Sequence, residues 1–296
     1  MGDGGDFPNS GGILPSGLDR CQRGAVCYDA AMTHAETDHP RWLSIAVEAA
    51  RAAGEIIRGG LHDELDVRYK GAINLVTQID VASERAIVDH LRAQCPDHGI
   101  LAEEGSGHDG SSGYRWLIDP LDGTTNYAHR FPFYCVSIGL EYKEDVVLGV
   151  VYDPIRDELF TAARGAGARC NGRPLAVSST PALETSLLVT GFAYDGRRST
   201  HNNFRHFIDM SRTVQGVRRT GSAALDLCYV AAGRFDGFWE LNLAPWDTAA
   251  GWVIVEEAGG RVTDFAGRAF SPHTPEVVAS NGKIHDAMLD ILSKTS

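Results

Sequence analysis

No apolar run in this sequence approaches the ~20 residues that a membrane-spanning helix needs. Its six cysteines, Cys21, Cys27, Cys95, Cys135, Cys170 and Cys228, form no CxxC pair, and no histidine cluster completes a zinc pattern. No basic stretch followed by an apolar core opens the chain, so no secretory signal is read there. Scattered thiols without such a signal fit a reducing, cytoplasmic setting, and no membrane partner is expected. The P-loop pattern GxxxxGKS/T, the metalloprotease pattern HExxH and the hydrolase elbow GxSxG are all missing. Gly165-Ala166-Gly167 lacks the third glycine of a dinucleotide fingerprint, because Cys170 stands in its place. Positive charge is short as well: 27 Lys and Arg face 39 Asp and Glu, for a net charge of −12. That balance argues against a nucleic-acid partner. An acidic chain that handled an anionic ligand would need local positive charge, and metal ions held by carboxylates supply it.

At 296 residues the chain is long enough for one large domain or two modest ones. Residues 1–40 are rich in Gly, Asp, Ser and Pro without apolar periodicity and read as a disordered N-terminal extension, with Met32 a plausible start. From Trp42 to Arg58 apolar residues recur at helical spacing, and Gly59-Gly60 ends the helix. Val67–Lys70 reads as a short strand, and Leu75–Asp80 as a strand-like run ending in a carboxylate. A helix is expected from Asp80 to Cys95, stopped by Pro96. Strands follow near 99–103, 115–119, 133–143, 146–153 and 157–163. Beyond them strands near 186–191, 214–218, 235–240, 261–264 and 276–280 alternate with helices near 200–212, 222–232 and 247–258, and a last helix covers about 283–294. The pattern predicts an α/β (α+β) protein in layers, with one subdomain over 41–180 and a second over 181–296.

The densest chemical signal is Trp116-Leu117-Ile118-Asp119-Pro120-Leu121-Asp122-Gly123-Thr124-Thr125-Asn126. Its apolar front reads as a buried strand. Asp119 and Asp122 leave it three residues apart, Pro120 is expected to turn the chain sharply, and Gly123 lets the backbone approach a ligand. Two carboxylates beside free N–H groups suit hard cations that bridge to a phosphate. An ordinary Asp-Pro turn would look similar. Three further pieces argue against it: the strand-like run ending at Asp80, Glu103-Glu104-Gly105 after the apolar Gly99–Ala102, and Trp246-Asp247-Thr248-Ala249-Ala250-Gly251, which puts an acid at the mouth of an apolar helix.

Together with Gly221-Ser222-Ala223-Ala224, and in this order, these pieces resemble the inositol monophosphatase family, Mg²⁺-dependent, lithium-sensitive phosphatases of the fructose-1,6-bisphosphatase-like superfamily. The resemblance covers residues 41–296 and implies an αβαβα sandwich and a homodimer. It implies that one Mg²⁺ takes Glu103, Asp119 and the Leu121 carbonyl, that a second takes Asp119, Asp122 and Asp247, and that a third, weaker ion sits near Glu103. It makes Glu103 and the pair Thr124–Asp80 the groups that ready the attacking water, and the amides of Gly123 and Thr124 the phosphate cradle. Asp122, Gly221, Ser222, Ala223 and Glu240 become substrate contacts, and Lys70 a loop lysine reaching toward the site. Hydrolysis of a phosphate monoester needs an oriented water and an electrostatic clamp, and these residue types provide both.

The implied activity is that of a phosphoric monoester hydrolase acting on a small phosphorylated metabolite, inositol 1-phosphate first. Rivals on the same fold act on fructose-1,6-bisphosphate, histidinol phosphate or adenosine 3',5'-bisphosphate. A haloacid-dehalogenase-type reading of Asp122-Gly123-Thr124 fails, because its nucleophile would stand at position 120, which is Pro. A phosphatase-fold interaction protein is the non-enzymatic rival. Arg218 and Arg219 fit either a substrate contact or an oligomer interface.

Overall fold

The chain divides into Met1–Glu36 and Thr37–Ser296. A computed structural model describes Met1 and residues 38–62, 68–69, 75–193 and 202–295. Most of the expected extension, Met32 and Lys70 lie outside the described residues.

Helix α1 (His39–Gly59) begins three residues before the apolar periodicity, with Pro40 in its first turn. A short antiparallel pair, β1 (Arg68–Tyr69) and β2 (Leu75–Val76), precedes α2 (Gln78–Gln94). The strand-like run ending at Asp80 is therefore only two residues of strand. Thr77 caps the helix by accepting Ile79 N–H, and Asp80 accepts the Thr77 N–H at 2.9 Å, so Asp80 opens α2 rather than closing a strand.

Then come β3 (Gly99–Ala102), β4 (Tyr114–Asp122), a five-residue helix α3 (Thr124–Ala128), and the meander β5 (Cys135–Tyr142), β6 (Asp145–Asp153), β7 (Glu158–Ala163), β8 (Gly167–Cys170) and β9 (Arg173–Pro174). These seven strands form one sheet in the order β3-β4-β5-β6-β7-β8-β9, with only β3 and β4 parallel. The second half supplies β10 (Leu187–Thr190), α4 (Phe204–Ser211), β11 (Gly216–Arg218), α5 (Ala223–Ala231), β12 (Gly237–Leu241), α6 (Pro245–Glu257), β13 (Arg261–Thr263), β14 (Glu276–Ser280) and α7 (His285–Leu292). Its five strands order as β11-β10-β12-β14-β13.

The cores explain the layering. Trp42, Ala46 and Ile57 of α1 and Ile87 and Leu91 of α2 pack on Trp116, Ile118, Ile138 and Val150 of the first sheet. Alternate residues of that sheet, such as Leu117, Cys135, Val151 and Phe160, meet α5 and α6, whose other side meets Val189, Phe238 and Ala279 of the second sheet. The far face of the second sheet, Leu188, Trp239 and Val278, is covered by Met210 of α4 and Met288 and Leu292 of α7. The result is an αβαβα sandwich. Its strands read as continuous apolar runs because both faces are covered.

The central α6 lies unusually close to the first sheet. A Cβ on Gly149 would meet Ala250 Cα at 2.7 Å, and one on Gly139 would meet Ala249 Cβ at 2.9 Å. The small residues Ala249-Ala250-Gly251 are what permit this approach, and it delivers the start of α6 to the edge of β5.

One buried histidine fastens the far layer. His285, fully buried, bridges Thr263 Oγ1 through Nε2 at 2.8 Å and Ser280 Oγ through Nδ1 at 2.9 Å, tying α7 to β13 and β14. Burial, and then the nearby Arg261, push its pKa down to about 4. Between that value and ~6.5 the unfolded chain takes up a proton that the folded chain refuses. The neutral imidazole's contribution is therefore complete above ~6.5 and shrinks as pH falls toward 4. Chemical denaturation of wild type and His285→Gln at pH 7 and pH 5 checks this: the wild type's stability advantage should narrow by about 2 kcal/mol at pH 5. An unchanged gap would show that His285 carries no proton linkage.

Candidate active site

A regular strand sends residues three apart to opposite faces, so Asp119 and Asp122 would point away from each other. They do not. Asp119 pairs with Ser137 and Asp122 with Cys135, so Pro120 and Leu121 stand opposite the single residue Val136. This bulge returns Asp122 to the face of Asp119. The sharp turn expected at Pro120 is absent: β4 runs through it, since the bulged position needs no ladder N–H. Ser83 Oγ on α2 holds the Pro120 carbonyl at 2.8 Å. The chain turns one residue after Asp122, at Gly123, with φ 96°. A Cβ there would also approach Phe133 O to 2.9 Å, so both the turn and the close packing require glycine.

The shared face looks toward α5 and α6. Asp122 Oδ2 accepts the Ser222 hydroxyl at 2.7 Å and Ala224 N–H at 2.8 Å, both from the start of α5, and Cys135 Sγ lies 3.9 Å away. Asp247 sits in the first turn of α6, and its Oδ2 accepts Ala244 N–H at 2.7 Å. Ser137 Oγ on β5 fixes that turn by donating to Trp246 O at 3.1 Å. Asp119 Oδ1 accepts Leu121 N–H at 3.0 Å. Each aspartate thus has one oxygen tied to a backbone amide, and the carboxyls of Asp119 and Asp247 also lie within hydrogen-bond reach of each other. Glu103 follows β3 and donates its N–H to Ile118 O, next to Asp119. Its loop is held by Glu84, fully buried on α2, which accepts Glu104 N–H at 2.6 Å and Ser106 N–H at 2.9 Å.

The electrostatics are those of an anionic hole. Burial raises Asp119 well above the carboxylate range, and Glu103, Asp122 and Asp247 push it further. Burial lifts Asp122 to about 6 against the hydrogen bond from Ser222. Burial and Asp122 lift Asp247 to about 8. Among the described residues no three His, Cys, Asp or Glu side chains close on one point as a finished cage. The donor set nonetheless fits hard divalent cations: all the donors are oxygens, Asp119 and Asp122 are buried, and the strongest charges acting on Asp119 are all negative.

Beside the acids, Thr124 Oγ1 lies 3.0 Å from both Asp80 Oδ1 and the Leu121 carbonyl. Asp80 is itself buried and held by Thr77 Oγ1 at 2.6 Å. A pocket opens on the other side of Asp122 and Asp247, lined by Gly221, Ser222, Ala223 and Glu240. Ser222 lines it with its hydroxyl already committed to Asp122 and to the N–H of Leu225. Glu240 sits inside β12, opposite Val277, and is buried, with burial first and Asp247 second raising its pKa to about 8. Arg219 and Asp226 line the same pocket. Sequence reading missed Ser83, Glu84, Ser137 and Asp226. Glu84 and Asp226 carried one detectable signal, an acid on an otherwise apolar helical face.

The model of the Inositol monophosphatase family matches residues 38–295. The chain is 48% identical over 262 residues, 88% of its length and 91% of the relative's, to a protein of Synechocystis sp. named Inositol-1-monophosphatase. It is 46% identical over 256 residues, 83% of its length and 94% of the relative's, to the Nus factor SuhB of Pseudomonas aeruginosa. Among solved structures, the inositol monophosphatase of Anabaena (Nostoc) sp. superposes with a TM-score of 0.80 at 46% identity, covering 89% of this chain and 98% of that one.

Asp122→Asn separates the shape of this site from its charge. The amide oxygen can keep the Ser222 and Ala224 hydrogen bonds, which leaves the NH₂ facing the acids. The variant should melt without cations at or above the wild-type temperature, because crowding of like charges is relieved. It should bind Mg²⁺ at least about tenfold more weakly by calorimetry, a loss of ~1.4 kcal/mol or more. Unchanged Mg²⁺ affinity would remove Asp122 from the ligand set.

Proposed function

The chain belongs to the inositol monophosphatase family, and on that footing we propose that it hydrolyses inositol 1-phosphate. The family supports the coarser statement, a phosphoric monoester hydrolase acting on a small phosphorylated substrate. The observation that carries the finer one is the joining of two features in one cleft: the anchored acids Asp119, Asp122 and Asp247, and a neighbouring pocket whose wall is the buried acid Glu240.

Glu103, Asp119, the Leu121 carbonyl, Asp122 and Asp247 are the groups that would hold Mg²⁺, two ions with a third near Glu103. When bound, the ions neutralise the phosphoryl oxygens and acidify water. The protein's own groups do the rest. The amides of Gly123 and Thr124 begin α3 without helical partners and point their N–H groups at the phosphate. Asp80 accepts the proton of Thr124 Oγ1, which leaves a lone pair of that hydroxyl to receive a proton from water. Glu103 orients the same water from the opposite side. No side-chain nucleophile is required, and no covalent phosphoenzyme forms. Glu240 accepts ring hydroxyls at the alcohol end of the substrate. We further propose, on family likeness, a cytoplasmic homodimer inhibited by millimolar lithium.

A phosphate-release assay across inositol 1-phosphate, fructose-1,6-bisphosphate, histidinol phosphate, adenosine 3',5'-bisphosphate and phenyl phosphate tests this reading. Activity should vanish with EDTA and return with Mg²⁺, and inositol 1-phosphate should be the preferred substrate. Glu240→Gln keeps one acceptor oxygen and loses the charge. Its KM for inositol 1-phosphate should rise about tenfold, since a hydrogen bond to a charged group is worth ~1.5–3 kcal/mol and part of it survives. Phenyl phosphate, with no ring hydroxyls, should be hydrolysed as before. Equal losses on both esters would assign Glu240 to the fold, and preference for another substrate would overturn the inositol reading.

A further inference from the structure

A second buried acid faces the pocket. Asp226 lies in the first turn of α5, is 1% exposed, and lines the same pocket as Glu240. Its Oδ1 accepts the Thr220 hydroxyl. Among the described residues nothing hydrogen-bonds to its Oδ2, and none hydrogen-bonds to either oxygen of Glu240. The charge of Glu240 acts on Asp226, and both acids are moderated by Arg219 at the pocket's edge. Glu240 is also fixed in place. Any side chain at Gly191 would collide with both of its oxygens, so the carboxylate rests directly over that backbone.

Two carboxylates whose remaining oxygens open onto the pocket call for donors from whatever fills it, because an acceptor that loses water without gaining a donor is costly. An apolar ligand would leave both unmet. A second phosphoryl group in this pocket would meet Asp122, Glu240 and Asp226 together, with Arg219 as its one nearby counter-charge among the lining residues. Neutral hydroxyl groups satisfy the arrangement, one to each acid. We propose that Asp226 is a second hydroxyl acceptor for the alcohol part of the substrate, paired with Glu240, so that the pocket selects monophosphate esters of polyols. This rests on the proposed phosphate monoester activity and narrows its substrate class.

Asp226→Asn is informative because Oδ1 is already engaged. The amide oxygen stays with the Thr220 hydroxyl, and an NH₂ donor replaces the acceptor that faces the pocket. On inositol 1-phosphate, KM should rise about tenfold, the loss of one hydrogen bond to a charged group, with kcat within about twofold. Phenyl phosphate kinetics and melting temperature should stay as in wild type. Singly deoxygenated inositol phosphates supply a measurement that needs no folded variant. Wild type should lose affinity on removal of either of two distinct hydroxyls. Asp226→Asn should be indifferent to one of them, and Glu240→Gln to the other. Sensitivity to a single hydroxyl in wild type would overturn the assignment, as would equal losses on both esters in Asp226→Asn. Wild type inactive on every polyol phosphate yet active on phenyl phosphate would instead overturn the polyol reading itself.

Discussion

One extra residue in β4 governs the site. Asp119 and Asp122 would lie on opposite faces of a regular strand. Setting Pro120 and Leu121 against Val136 alone brings both to the face that looks into the central helical layer. Everything that meets them there comes from elsewhere in the chain: Asp247 with α6, the Ser222 hydroxyl and Ala224 amide with α5, and Glu103 with the end of β3. The close seating of α6 on Gly139 and Gly149 follows the same demand, since a helix held further off the sheet would carry Asp247 away from Asp119.

The arrangement gathers negative charge in a buried place, which costs free energy unless that charge is compensated. The protein divides the task. Backbone amides and hydroxyls hold one oxygen of each aspartate and fix its direction. The second oxygen is left outside those bonds, and the raised pKa values of Asp119, Asp122 and Asp247 record burial first and then the repulsion among the acids, which a cation would relieve. The neighbouring pocket continues the principle with Glu240 and Asp226, two further acids whose charge the proposed hydroxyl donors would compensate. Most of the groups that support this site sit on helices and strands, and the loop that carries Glu103 is itself pinned by Glu84 of α2.

Much of this was legible in the residues. The acids of Asp119–Asp122, Glu103 and Asp247 stand in dense local patterns, and the alternation of strand and helix in the second half gave the layered fold. Less visible was whatever depended on a partner strand or helix. Pro120 looked like a turn, because a single chain does not reveal that its neighbour is one residue short. Leu75–Asp80 looked like a strand because the Thr77–Asp80 capping box was not weighed against an apolar run. Glu240 stood at the last position of its expected strand, although an acid between Trp239 and Leu241 marks a buried charge. Glu84 repeats the lesson: it lies four residues after Asp80, on the helix face that carries Ile87 and Leu91, and an acid there has to be holding something.

On this reading the β4 bulge and the two helix starts make one cation-binding face. Anomalous diffraction from crystals soaked in Mn²⁺, a stand-in for Mg²⁺ with a strong anomalous signal at ordinary X-ray wavelengths, tests it directly. Two peaks that share Asp119 are expected, one also ligated by Glu103 and the Leu121 carbonyl, the other by Asp247 and by the Asp122 oxygen that Ser222 does not hold. Peaks confined to other acids on the surface, with none in bonding range of both Asp119 and Asp122, would contradict it.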